Sequence, residues 1–232
     1  MIPTRIAYLF TLAITASIFP VQTAFCDDVI QLQFVSFPKL RDAKPVELVI
    51  GQGKTMPVEL PTNSISKVYK VPRSNKWILG KNIVNTEGKK TFDVYGQSSA
   101  ISSTKQLIIV IRKGQSNDDG LELITIDNNT DNFGGGKYFL MNATSVDIAG
   151  SIGTGKFALR PNSHFILAPK PTKTKDDRHY CYAKIYFRRN EEVQPFFTST
   201  WRFNERARSM VFFYHDPRTS RLRLHTIRDY VQ

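Results

Sequence analysis

The sequence predicts an all-β protein, a β-sandwich of immunoglobulin-like or open-barrel-like form that follows a cleaved signal peptide. Three observations predict it. Short apolar or alternating runs rich in Val, Ile, Phe, Tyr and Thr recur along the chain, separated by clusters of Gly, Pro, Asn, Asp and Ser. Beyond the leader, no stretch of about a dozen residues keeps an apolar face at i, i+3, i+4 and i+7 without a Pro, Gly or β-branched interruption. The longest uninterrupted apolar run after the leader, Leu107 to Ile111, has the length of a buried strand and falls far short of a membrane span.

The first element is the leader, residues 1–26. Arg5 supplies a positive start, Ile6 to Phe19 an apolar stretch too short to cross a bilayer as a helix, and Ala24-Phe25-Cys26 places a small residue at each of the two positions a signal peptidase reads. The expected address is therefore export, to the periplasm or the extracellular space. The expected strands are Val29 to Phe37, Val46 to Ile50, Met56 to Leu60, Ser66 to Val71, Lys90 to Tyr95, Gln106 to Lys113, Leu121 to Asp127 and Lys137 to Asn142. They continue with Ser145 to Ile148, Lys156 to Leu159, His164 to Leu167, Tyr180 to Arg189, Pro195 to Phe203, Ser209 to His215 and Arg221 to Ile227. Two polar, turn-rich segments stand out as loops, Gly114 to Gly120 and Pro169 to Arg178. Residues 27–232 are expected to form one sandwich-type domain, with a split near 114–120 as the alternative; no internal repeat is visible.

The chain carries a formal charge of +12, unevenly spread. Phe25 to Gly155 holds 15 Lys and Arg against 13 Asp and Glu, whereas Lys156 to Gln232 holds 16 against 7. The last third is therefore strongly cationic, and Arg outnumbers Lys there, 11 to 5. Planar guanidinium forks suit carboxylate, sulfate or phosphate oxygens. Two cysteines cannot make the disulfide framework that staples small secreted folds, so the core must hold the protein together. Cleavage after Ala24 would leave Cys26 able to pair with Cys181; cleavage after Cys26 would remove it.

Several motifs resolve into turns. Gly150 to Lys156, GSIGTGK, matches the spacing of a phosphate-cradling loop. It lacks Ser or Thr after the lysine and a following helix, so no nucleotide is expected. Asp127, Asn129 and Asp131 alternate as calcium ligands do, but Asn132 and Tyr138 stand where a calcium loop needs Gly and an acid; a polar turn is the better reading. Phe133 to Gly136 calls for positive φ or a close backbone approach. His164, His179, His215, His225 and Cys181 lack paired metal-ligand spacing, and no serine elbow appears, so neither metal nor other cofactor is expected.

The strand Tyr180 to Arg189 is more informative. With Cys181, Ala183, Ile185 and Phe187 turned inward, Tyr180, Tyr182, Lys184, Tyr186 and Arg188 face outward. Aromatic planes beside cations can stack on sugars or bases and bind anionic groups. Arg202, Arg221 and Arg223 are the nearby candidates to join this surface. Two stretches, FGGGKYFLMNATSVDIAGSIGTGKFALRP from Phe133 and TSTWRFNERARSMVFFYHD from Thr198, resemble a group of uncharacterised secreted bacterial proteins. The resemblance implies an exported β-rich protein and carries no mechanism. The expected function is binding, without catalysis, of an anionic glycan, lipid headgroup or envelope protein through the basic aromatic surface. Two alternatives stand beside it. One is a lyase or hydrolase of acidic polysaccharide, since Tyr182-x-Lys184-x-Tyr186 resembles the strand on which some β-sandwich polysaccharide lyases carry a tyrosine and a lysine for proton transfer; the other is a structural subunit of an envelope assembly.

Overall fold

A computed structural model describes residues 29–39, 45–51, 53–84, 86, 88–114, 120–175, 178–190 and 192–231. The leader with Cys26 and the centre of the 114–120 loop lie outside the described residues. Those described form 17 strands and no helix, so none is long and apolar enough to cross a membrane. The first eight are β1 (Val29–Phe37), β2 (Val46–Val49), β3 (Thr55–Val58), β4 (Tyr69–Pro72), β5 (Lys76–Val84), β6 (Lys90–Ser99), β7 (Lys105–Arg112) and β8 (Leu121–Asp127). The remaining nine are β9 (Tyr138–Ala143), β10 (Asp147–Ile152), β11 (Gly155–Leu159), β12 (Ser163–Leu167), β13 (Lys173–Lys175), β14 (Arg178–Arg189), β15 (Glu192–Arg202), β16 (Ala207–His215) and β17 (Leu222–Tyr230).

The strands make four packed sheets: sheet I in the order β3-β2-β5-β6, sheet II β4-β1-β7-β8, sheet III β12-β9-β16-β17, and sheet IV β11-β10-β14. In sheet IV, β13 continues along the β10 edge of β14 and β15 pairs its other edge. The two halves repeat one topology. In each, the first strand pairs antiparallel with the fourth and parallel with the penultimate one, as β1 does with β4 and β7, and β9 with β12 and β16. Even the irregularities correspond. The long hairpin of sheet I shifts register at Leu79/Gly80, and that of sheet IV at Ile185/Tyr186.

Three cores bind the layers in the order I, II, III, IV. Ile30, Leu32, Phe34, Trp77, Leu79, Ile108 and Val110 fill the space between sheets I and II. Val35, Phe37, Leu107, Ile109, Phe139, Met210 and Phe212 fill that between II and III. Leu140, Ile148, Ile152, Phe157, Cys181, Ile185, Val211 and Phe213 fill that between III and IV. Successive residues of a strand point to opposite faces. Sheets II and III are covered on both, so β7 and β16 must be apolar at odd and even positions alike, as KQLIIVIR and ARSMVFFYH are. The layers are tied at their centre by Phe37 stacked on Phe212, ring centroids 4.2 Å apart.

Residues 128–137 carry the chain from one half to the next, and they are held closely. Arg208, 4 % exposed, donates to Asp229 at 2.8 Å and to the Phe133 carbonyl at 3.0 Å, and its guanidinium covers the Phe133 ring. Gly135 permits this: a Cβ there would lie 1.9 Å from the Glu205 carbonyl oxygen. On either side of residues 114–120, β7 and β8 pair antiparallel.

Some expected boundaries move. β5 was not expected, since Gly80, Lys81 and Asn82 interrupt its apolar residues; the register shift at Gly80 accommodates them. β10 runs on to Ile152 because the turn at Gly153, φ 56°, folds it onto β11. The expected loop Pro169 to Arg178 contains the short strand β13, and the strand expected from Pro195 begins at Glu192.

Candidate functional site

The outer face of sheet IV gathers most of the candidate residues. Along β14, Cys181, Ala183 and Ile185 are buried in the III/IV core, while Tyr182, Lys184, Tyr186 and Arg188 are exposed. Tyr180, half-buried, sits opposite Arg202 of β15, which is exposed. Tyr182 and Tyr186 expose 43 % and 36 % of their surface, high for aromatics in the middle of a sheet. Lys184 Nζ stands 5.3 Å from the centroid of the Tyr182 ring, so that pair forms an internal cation–π contact.

Neighbouring strands extend the surface. Register places Ser151 beside Lys184, Ala149 beside Tyr186 and Asp147 beside Arg188; one strand further, Lys156 follows Ser151 and Ala158 follows Ala149. On the other side Thr200, Thr198, Pro195 and Val193 lie opposite Tyr182, Lys184, Tyr186 and Arg188. Among the described residues, exposed Lys156, Arg160, Lys184, Arg188 and Arg202 therefore share the face with one acid, Asp147. Among the described residues, none of these cations forms an ion pair. Ala149 and Ala158 leave a shallow cavity of about 380 Å3 bordered by Tyr186, Arg160, Arg188, Asp147 and Val193.

Arg221 and Arg223 stand elsewhere. Arg223 lies in β17 of sheet III and Arg221 immediately before it; Arg223 Nε is 3.6 Å from Asp216. Alternation along the strand places side chains on a face, but only pairing reveals which sheet the face belongs to. Arg221 lines a different hollow with Arg189 and His215. Conversely, Lys156, Arg160, Asp147 and the two alanines join the face through the β10–β11 hairpin. Strand alternation across GSIGTGKFAL was the available signal, but the cross-strand register it depends on is set by the turn at Gly153.

The other motifs serve the fold. Burial pushes the Asp127 carboxyl up, but this is outweighed by hydrogen bonds from the Asn129 N–H, Ser103 and Asn132, which hold it below the usual carboxylate range. Its oxygens thus close a turn. Gly150 has no room for a Cβ, which would lie 2.3 Å from the Lys184 carbonyl oxygen, so GSIGTGK is a hairpin packed on β14. Burial pushes the Cys181 thiol up, partly offset by a hydrogen bond with Tyr138, which leaves it a poor nucleophile. Its proposed partner Cys26 lies outside the described residues. Asn142, fully buried, donates to the carbonyls of Val146, Leu159 and Arg160 and accepts from Thr144, locking the corner between sheets III and IV.

The repeated topology supplies an internal reference. Matching the two register shifts sets Gly80 against Tyr186, Asn82 against Arg188 and Phe92 against Val193; Glu47 and Pro57 then correspond to Ala149 and Ala158. In sheet I the Phe92 ring covers Gly80. Glu47 Oε2 accepts from Thr55 and Asn82 across the positions where sheet IV has its cavity. The fold itself therefore does not require the exposed tyrosine pair or the hollow at this place. Those two features belong to the second half, although exposed Lys76 and Lys90 also give the sheet I face some positive charge.

In comparisons with known proteins, no family model matches the chain and no similar curated protein is found.

Proposed function

We propose that this chain is an exported, non-catalytic binding protein that takes an anionic component of the cell envelope on the outer face of sheet IV. The observation that carries this is the contrast between equivalent faces: sheet I covers the matching position with Phe92 and a hydrogen-bonded Glu47, whereas sheet IV presents Tyr182, Tyr186 and five cations that form no ion pair among the described residues. Unneutralised cations beside exposed rings attract anions and add stacking or cation–π contact on arrival. Catalysis at Tyr182 is less favoured, because Lys184 lies over its ring face. Residues 1–26, with Arg5 ahead of the apolar stretch Ile6 to Phe19, supply the address. We also read each half as a sandwich, the first in its open-barrel-like form, since β6 closes on β8 through Gly96 against the Leu121 carbonyl and Ser98 against Thr125.

Retention on immobilised dextran sulfate tests the reading. Lys184→Gln plus Arg188→Gln should elute at clearly lower salt than the parent. Arg221→Gln plus Arg223→Gln, which removes the same formal charge from sheet III, should elute close to the parent. Equal shifts for both double variants would mean that net charge, and not this face, is responsible.

A further inference from the structure

We infer that the cavity above Ala149 and Ala158 is a subsite for one carboxylated sugar residue, a hexuronate, of an acidic polysaccharide; this rests on the binding role proposed for the face. The cavity, about 380 Å3, falls in the lower part of the range of small-ligand sites, roughly 300–1,000 Å3. Its apolar lining includes Ala149 and Ala158, paired across the β10–β11 hairpin, with Tyr186 and Val193 beside them. A free phosphate would leave that apolar surface in contact with water. A pyranose ring, with C–H groups on its faces and polar groups around its edge, covers the floor and keeps its carboxylate at the rim.

Arg160 and Arg188 supply planar forks there, matched to the two oxygens of a carboxylate. Asp147, the one acid at the rim among the described residues, accepts hydrogen bonds from hydroxyl groups, which a sugar provides and an acidic peptide side chain does not. The ligand chain has a track to follow beyond the cavity. Tyr182 lies four residues from Tyr186 along β14, about 13 Å at strand rise, on the same outward face, with Lys184 between them. The cavity thus takes one residue of the polymer and the tyrosine row carries the neighbours.

The test compares three probes at physiological salt: a galacturonate hexamer, its neutral methyl ester, and poly-glutamate, with dextran sulfate retention run in parallel. The parent protein should bind the hexamer at least about tenfold more tightly than the ester or the peptide, as expected when a charge-assisted pair is lost. Ala158→Leu fills the cavity from an exposed position; it should lose hexamer binding by a similar factor and keep its retention on dextran sulfate. Arg160→Gln, with a thermal melt to confirm folding, should show the same loss. Equal hexamer affinity in Ala158→Leu, equal affinity for the ester, or preference for poly-glutamate would overturn the sugar subsite. Absence of hexamer binding with dextran sulfate retention intact would also overturn it and leave the face standing. Loss of both would overturn the face as well.

Discussion

Phe212→Ala should destabilise the whole protein, including the half in which residue 212 does not lie. Phe212 of β16 and Phe37 of β1 are both fully buried, and their rings stack at 4.2 Å with planes 20° apart in the core between sheets II and III. Removing a buried Phe costs about 3–5 kcal/mol, the spread depending on how far the site collapses. Met210, Phe139 and Ile111 surround this one and are themselves held from both sheet faces, so collapse is restricted and the upper part of the range applies. For a chain of this length each kcal/mol lowers Tm by about 2–4 °C. A loss of roughly 10–20 °C is expected, in a single calorimetric transition, because the same core belongs to both halves. Phe37→Ala should behave alike, and the double variant should fall short of additivity by about 0.5–1.5 kcal/mol, the coupling of an aromatic pair. Two separate transitions, with Phe37→Ala shifting one and Phe212→Ala the other, would refute the continuous four-layer core.

Other outcomes follow from individual polar groups. Arg208→Met should cost about 3 kcal/mol in urea unfolding, toward the lower end for a broken buried pair because Asp229 is partly exposed, and Arg208→Lys should not restore it, lacking the fork that reaches both Asp229 and Phe133. The side of the His164 ring stacked on Phe139 is desolvated, which holds the imidazole below its ordinary value although the residue as a whole is exposed. A folded-state value below the unfolded one of about 6.5 means stability that is present above that pH and lost as pH falls through the folded value. His164→Phe should therefore flatten the stability decline just below pH 6.5, as read by urea midpoints across pH. Asp127, also held low, follows the same sign at the carboxylate range: its contribution is present above about pH 4 and is lost below it, so Asp127→Asn should reduce the acid sensitivity that remains there.

Strand identity was largely legible in the sequence because alternation and β-branched runs report directly on one-sided burial. The uninterrupted runs of β7 and β16 went further, since only a sheet covered on both faces requires them. β5 escaped notice because Gly80 sits at its register shift and the residues after it are polar. The repeated topology left no repeat in sequence: what recurs is hydrogen-bond order and the place of the shift, and backbone pairing accepts Gly80 in one half and Tyr186 in the other. The outward row of β14 was readable from alternation alone. The cavity was not, because it needs Ala149, Ala158 and Arg160 aligned with Tyr186 and Arg188 by a hairpin register, and Arg221 and Arg223 went to another sheet for the same reason.

The central claim is that the second half binds through the outer face of sheet IV and that the first half does not. Acetylation of lysines in the presence and absence of dextran sulfate, resolved by mass spectrometry, tests it at single positions. Protection of Lys156 and Lys184 is expected, with exposed Lys54, Lys76 and Lys90 of the first half labelled equally in both conditions. Unchanged labelling at Lys156 and Lys184, or protection spread equally over the first-half lysines, would contradict it.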